Sequence, residues 1–127
     1  MNSAIAASAL TPLVLQSDSG FRVEVLPFGA TICSIQLGGR ELTLRHPELA
    51  DYRQNDGYLG STVGRYANRI AGGLLSFDAK VYPLETAGGE HCLHGGKGFS
   101  HRLWQVQQHQ LSAQHAALSA HPISQQK

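Results

Sequence analysis

Phe21, Val23 and Val25 alternate with Arg22 and Glu24, the period of a strand with one buried face. Pro27 and Gly29 interrupt the pattern, and alternation resumes from Ile32 to Leu37 through Cys33, Ile35 and Leu37. Gly38-Gly39 then supplies a hairpin turn, with Glu41-Leu42-Thr43-Leu44 as the return strand. Upstream, Leu13-Val14-Leu15-Gln16 reads as a further strand closed by Ser17-Asp18-Ser19-Gly20. The pattern fails between His46 and Tyr58, which predicts a long connection with a helical turn at Pro47 to Tyr52. Strands return at Leu74-Leu75-Ser76-Phe77 and Val81-Tyr82-Pro83-Leu84, joined by Asp78-Ala79-Lys80. The run from Thr86 to Phe99 is too glycine-rich for a regular element. Through residue 104 the chain predicts no helix longer than a turn or two, hence an all-β, antiparallel β-sandwich.

Composition narrows the class. The 127 residues are 42% hydrophobic and 15% charged, which fits one globular domain and excludes a disordered tail. Two cysteines cannot build a disulfide scaffold, and Cys33, at an apolar strand position, reads as a core residue. A net charge of +1 gives no field for nucleic acid or an anionic membrane, so a neutral ligand is expected. No segment reaches the ~20 apolar residues of a membrane-spanning helix. The opening residues lack a basic n-region, and Thr11 and Pro12 break the apolar stretch, so a cytoplasmic location is expected.

Two stretches could carry chemistry: Gly64-Arg65-Tyr66-Ala67-Asn68-Arg69-Ile70 and His91-Cys92-Leu93-His94-Gly95-Gly96-Lys97-Gly98-Phe99. A phosphate loop fails, because His91 stands where its first glycine belongs and Gly98 follows Lys97 where a hydroxyl is needed. His91, Cys92, His94 and His101 raise zinc, yet their spacing matches no standard closed site. A neutral polar ligand remains. Asn68 and Arg69 are adjacent donors, and His94 sits on a glycine-flanked turn where backbone can approach a ligand. Sugars need convergent hydrogen bonds and an aromatic face, here Phe99, Tyr66 or Trp104. The plainer alternatives are surface contacts for Arg69 and a turn role for His94.

The arginine stretch, continued by Gly73, Phe77, Asp78, Tyr82 and Leu84, and the histidine stretch, continued by Trp104, resemble the amino-terminal portion of the aldose 1-epimerases (galactose mutarotases). Phe28-Gly29-Ala30-Thr31-Ile32 and Tyr58-Leu59-Gly60 fit the same family, so the resemblance runs in order from about Phe21 to Trp104. It implies an incomplete part of a large galactose-mutarotase-type sandwich, with an aldohexose as small-molecule partner and no cofactor or metal. It implies substrate binding by Asn68, Arg69 and His94, with His94 a supporting donor in catalysis. Their spacing, 94 − 69 = 25, fits the family, whereas His91-Cys92 departs from its more usual Asn-His. Mutarotation needs a base on the anomeric hydroxyl and an acid on the ring oxygen. In the family these are a carboxylate near the carboxyl terminus and a second histidine, with an aspartate also gripping hydroxyls. None of these is matched here, and Glu85 and Glu90 read as turn or surface residues.

Residues 1–104 therefore read as the family-like part and 105–127 as an atypical tail, rich in Gln, Ala, Ser and His, without Asp, Glu, Lys or Arg before Lys127. Pro122 would stop any helix begun at 113–120, so the tail reads as frayed or weakly helical, or as a terminus that leaves the original coding pattern. The expectation is a truncated epimerase that lacks its proton-transfer residues. A non-catalytic carbohydrate-binding remnant and an unstable truncated product are the alternatives.

Overall fold

The computed structural model describes residues 7–111 and 116–122. In chain order the strands are β1 (Leu13–Gln16), β2 (Phe21–Leu26), β3 (Thr31–Leu37), β4 (Arg40–Glu41), β5 (Arg69–Ile70), β6 (Leu74–Phe77), β7 (Lys80–Pro83), β8 (Cys92–Leu93), β9 (Trp104–Leu111) and β10 (Ala116–Pro122). All pair antiparallel, as β1-β2-β3-β4, β5-β8, β6-β7 and β9-β10. The helical pieces among the described residues are short 3₁₀ turns, including one at Leu49–Arg53 within the expected long connection. None is long and apolar enough to cross a membrane. The opening segment, residues 1–6, lies outside the described residues.

Strand alternation places Leu13 opposite Val25 and Leu15 opposite Val23, so these four share one face of the larger sheet. With Trp104 and Val106 of β9 and Leu118 and Ala120 of β10, they line an apolar groove of about 300 Å³. The hairpin thus supplies the second layer of the sandwich. His109 Nε2 ties the hairpin to the sheet by a hydrogen bond to the Val14 carbonyl at 2.7 Å. These strands replace the frayed or weakly helical end that composition suggested. Alternate apolar residues in β9 and β10 gain a surface to bury, and that tertiary gain outweighs the weak helical preference of Gln and Ala. The part of the expected helix at 113–115 lies outside the described residues.

The buried core lies at the other side of β2 and β3, where Leu26 and Cys33 meet Ala9, Leu10, Phe28 and Tyr52, with Leu49 and Leu59 packed against them. Burial, with help from Glu24, pushes the Cys33 thiol up to about 11, so it is an inert core residue as expected. Tyr52 reaches the core from its 3₁₀ turn, with its ring edge-on to His46 at 4.7 Å and its hydroxyl accepting the His46 N–H. Buried Asn55 organises the rest of the long connection. Its Oδ1 accepts from His46 Nε2 and Leu59 N, while its Nδ2 donates to the Leu59 carbonyl and Ser61 Oγ.

The return strand is shorter than expected, ending at Glu41 instead of Leu44. The cause is the Glu41 carboxylate, which accepts from the Ile35 and Thr43 N–H groups at 3.1 Å each and from the Ser34 and Thr43 hydroxyls. The side chain thereby takes over the acceptor role of a strand carbonyl beside Ile35. Burial alone would raise its pKa, but the Ser34 and Thr43 hydroxyls and the two backbone donors hold it well below the ordinary 4.5. A lowered folded-state value stabilises the fold above the unfolded value of 4.5, and that contribution is lost as pH falls below it. Urea unfolding should therefore show stability declining below about pH 4.5. Glu41→Gln should flatten that decline and cost about 1–2 kcal/mol at pH 7; an unchanged acid limb would contradict this role.

Candidate functional site

The arginine and histidine stretches, separated in sequence by the β6–β7 hairpin, lie backbone against backbone. Arg69 pairs with Leu93 and Ile70 with Cys92 in the β5–β8 ladder. Just beyond it the His94 N–H donates to the Asn68 carbonyl at 2.9 Å, and the Asn68 N–H donates to His94 Nδ1 at 3.0 Å. Both residues adopt left-handed backbone, φ 59° at Asn68 and 51° at His94, a conformation asparagine and histidine tolerate better than most residues. This reciprocal pair decides the imidazole's chemistry. With Nδ1 accepting, the neutral ring must carry its hydrogen on Nε2, which is then a donor.

Further contacts hold the ring in place. Tyr58 packs edge-on against it at 4.8 Å and against His101 at 6.0 Å, and the Tyr58 hydroxyl reaches the Leu93 carbonyl at 3.4 Å. The Phe99 N–H donates to the Gly64 carbonyl at 3.2 Å, closing the far end of the two stretches. Gly95 makes this approach possible: its φ is +78°, and a Cβ there would run into the Gly64 carbonyl.

Arg69 is exposed and, among the described residues, forms no ion pair and no side-chain hydrogen bond. Arg69 lines an open cavity of about 340 Å³ shared with Asp56, Tyr58, Glu90, His91 and Leu93. Asn68 and His94 stand beside this cavity without lining it. The structure thus joins Asn68 to His94 by hydrogen bonds and places Arg69 one residue away on the cavity wall.

The aromatic candidates fall elsewhere. Phe99 and Trp104 stack on each other edge-on at 5.5 Å, and the Trp104 Nε1–H is taken by the Phe99 carbonyl at 3.0 Å. Tyr66 and Phe99 border a separate pocket of about 170 Å³. The aromatic side chain on the Arg69 cavity is Tyr58, which the sequence marks only through the Tyr58-Leu59-Gly60 segment before the arginine stretch. Of the residues that raised zinc, Cys92 is buried, and His101 bonds Ser100 and the Gln54 carbonyl. Glu85 accepts the Lys97 N–H at 3.2 Å, a turn role, while Glu90 is largely exposed.

The family model described as Aldose 1-epimerase matches residues 12–124. The chain belongs to the aldose 1-epimerase family. It is 38% identical over 100 residues to the aldose 1-epimerase of Haemophilus influenzae, covering 76% of this chain and 29% of that protein. It is 39% identical over 106 residues to the galactose mutarotase of Bos taurus, covering 79% of this chain and 31% of that one. The chain therefore spans about three-tenths of the length of these curated relatives. Among solved structures it resembles the galactose 1-epimerase of Lactobacillus acidophilus, with TM-score 0.72 and 30% identity over 83% of this chain and 31% of that chain. An aldose epimerase homologue from C. elegans gives TM-score 0.71 and 34% identity, covering 79% of this chain and 33% of that chain. The fold is accordingly the antiparallel β-sandwich of the epimerase family, as expected from the strand pattern.

In this epimerase-family chain the contact between Gly95 and Gly64 is the steric condition for the Asn68–His94 pair. Gly95→Ala should cost more than about 2 kcal/mol in urea unfolding, combining left-handed strain with displacement of a backbone carbonyl. A loss below about 0.5 kcal/mol, the range of an ordinary surface substitution, would show that the two stretches do not need this approach.

Proposed function

We propose that this chain carries the sugar-gripping part of an aldose 1-epimerase site, with an aldohexose such as glucose or galactose as its small-molecule partner. Asn68, Arg69 and His94 donate to sugar oxygens, and His94 is the supporting catalytic donor. The observation that carries this reading is the Asn68–His94 reciprocal pair, which leaves Nε2–H as a donor on a residue one position along the ladder from the Leu93 that pairs with Arg69. Membership of an isomerase family and the names of the relatives support the substrate class.

Mutarotation breaks the bond between the anomeric carbon and the ring oxygen. A base removes the anomeric hydroxyl proton as an acid protonates the ring oxygen; the aldehyde turns, and the same steps in reverse close the other anomer. Donors held rigidly toward oxygens where charge develops lower this barrier without reorganising. The His94 ring, held through Nδ1, has that character, and Arg69 adds a charged donor from a backbone position in the β5–β8 ladder. They position the sugar, but none of Asn68, Arg69 and His94 matches the family's proton-transfer pair. The chain by itself is thus a hexose-binding unit that lacks turnover.

Galactose titrated to high millimolar concentration should shift the His94 and Arg69 side-chain NMR signals, and Arg69→Ala should weaken that response about tenfold, the loss of one charge-assisted contact. Polarimetry should find no acceleration of anomer exchange over buffer. Acceleration that Arg69→Ala abolishes would reveal a proton-transfer pair within this chain. An absence of any shift would contradict the site.

A further inference from the structure

His91 stands at the opposite end of the same strand pair. The Gly72 N–H donates to His91 Nδ1 at 3.0 Å, as the Asn68 N–H donates to His94 Nδ1 at 3.0 Å. Two backbone amides flanking β5 thus occupy Nδ1 of two histidines flanking β8. In both neutral rings the hydrogen is driven onto Nε2. His91 differs from His94 in lining the cavity that Arg69 borders.

The surroundings of His91 suit a ligand with neighbouring hydroxyls. Its Nε2 lies 3.9 Å from Glu90 Oε2, too far for a direct hydrogen bond and suited to a hydroxyl set between them. Asp56 adds a second carboxylate to the wall, Arg69 a guanidinium and Tyr58 an aromatic ring. Donors and acceptors converging on a space of about 340 Å³ match a polyhydroxylated ring better than an ion, since both signs are present. The His91 imidazole is anchored through Gly72, so its Nε2–H is oriented before a ligand arrives.

We propose that His91 is a second donor histidine of the sugar site, working with the Glu90 carboxylate on adjacent hydroxyls of the aldose. This deepens the hexose-binding reading above and rests on it. The pair selects sugars that place two neighbouring hydroxyls toward this wall, which makes it a specificity element.

The test is a galactose titration of the full chain with nitrogen-labelled histidine and arginine, at a pH of about 8 where an ordinary imidazole is neutral. His91 should show the Nε2–H tautomer, and its Nε2 signal should move together with those of His94 and Arg69. Glu90→Gln should weaken the apparent affinity several-fold while leaving the His91 tautomer in place. His91→Asn, which retains an acceptor for the Gly72 N–H, should weaken it by more. An Nδ1–H tautomer would overturn the assignment. So would shifts at Arg69 and His94 with His91 still and both variants binding like the parent, since His91 would then be only a turn clamp. Silence at all three residues would instead sink the hexose-binding reading, and this inference with it.

Discussion

The pair of hydrogen bonds between Asn68 and His94 does two things with one contact. It fastens two stretches of chain that are 94 − 68 = 26 residues apart, and it selects which ring nitrogen of His94 carries the hydrogen. Neither part is replaceable by propensity, because both residues sit in left-handed backbone that an isolated segment would rarely visit. The conformation persists because its surroundings over-determine it: the β5–β8 ladder on one side, the Gly64–Phe99 bond on the other, and Tyr58 against the ring. A donor so fixed has little rotational freedom to lose when a ligand oxygen arrives.

The rest of the fold serves this arrangement at a distance. The core around Leu26, Cys33 and Tyr52 anchors the long connection through which Tyr58 is delivered, and Asn55 supplies that connection with internal hydrogen bonds. The second layer, β9 and β10, begins at Trp104, whose backbone N–H bonds the Pro27 carbonyl and whose indole bonds the Phe99 carbonyl. The histidine stretch is thereby held between two anchored ends. By contrast, the β6–β7 hairpin leaves Phe77 and Val81 at 71% and 60% exposure, so the apolar positions that made it legible as strands remain uncovered among the described residues.

Much of the architecture was legible because strand alternation and glycine turns are local signals. β1, β2, β3 and the Gly38-Gly39 turn follow the pattern within a residue, and the Asp78-Ala79 turn falls where it was expected. What was not legible depended on distant partners. The β9–β10 pair takes its conformation from the sheet it covers, and the early end of β4 comes from a carboxylate whose donors lie in Ser34, Ile35, Gln36 and Thr43. The site shows the same division. Asn68, Arg69 and His94 are marked in the sequence chiefly by the resemblance to the epimerases, and Arg69 lines the cavity. That the Asn68 backbone acts on the His94 ring, and that Tyr58 is the aromatic neighbour, are tertiary facts that no local pattern encodes.

The most direct measurement of the Asn68–His94 pair is the nitrogen–nitrogen scalar coupling across the bond from the Asn68 amide to His94 Nδ1. A bond of 3.0 Å between two nitrogens transmits such a coupling when the ring nitrogen is an unprotonated acceptor. The Asn68–His94 pair predicts a resolved coupling together with an Nε2–H tautomer for His94. An absent coupling with the hydrogen found on Nδ1 would contradict it, because His94 would then present an acceptor where a donor is required.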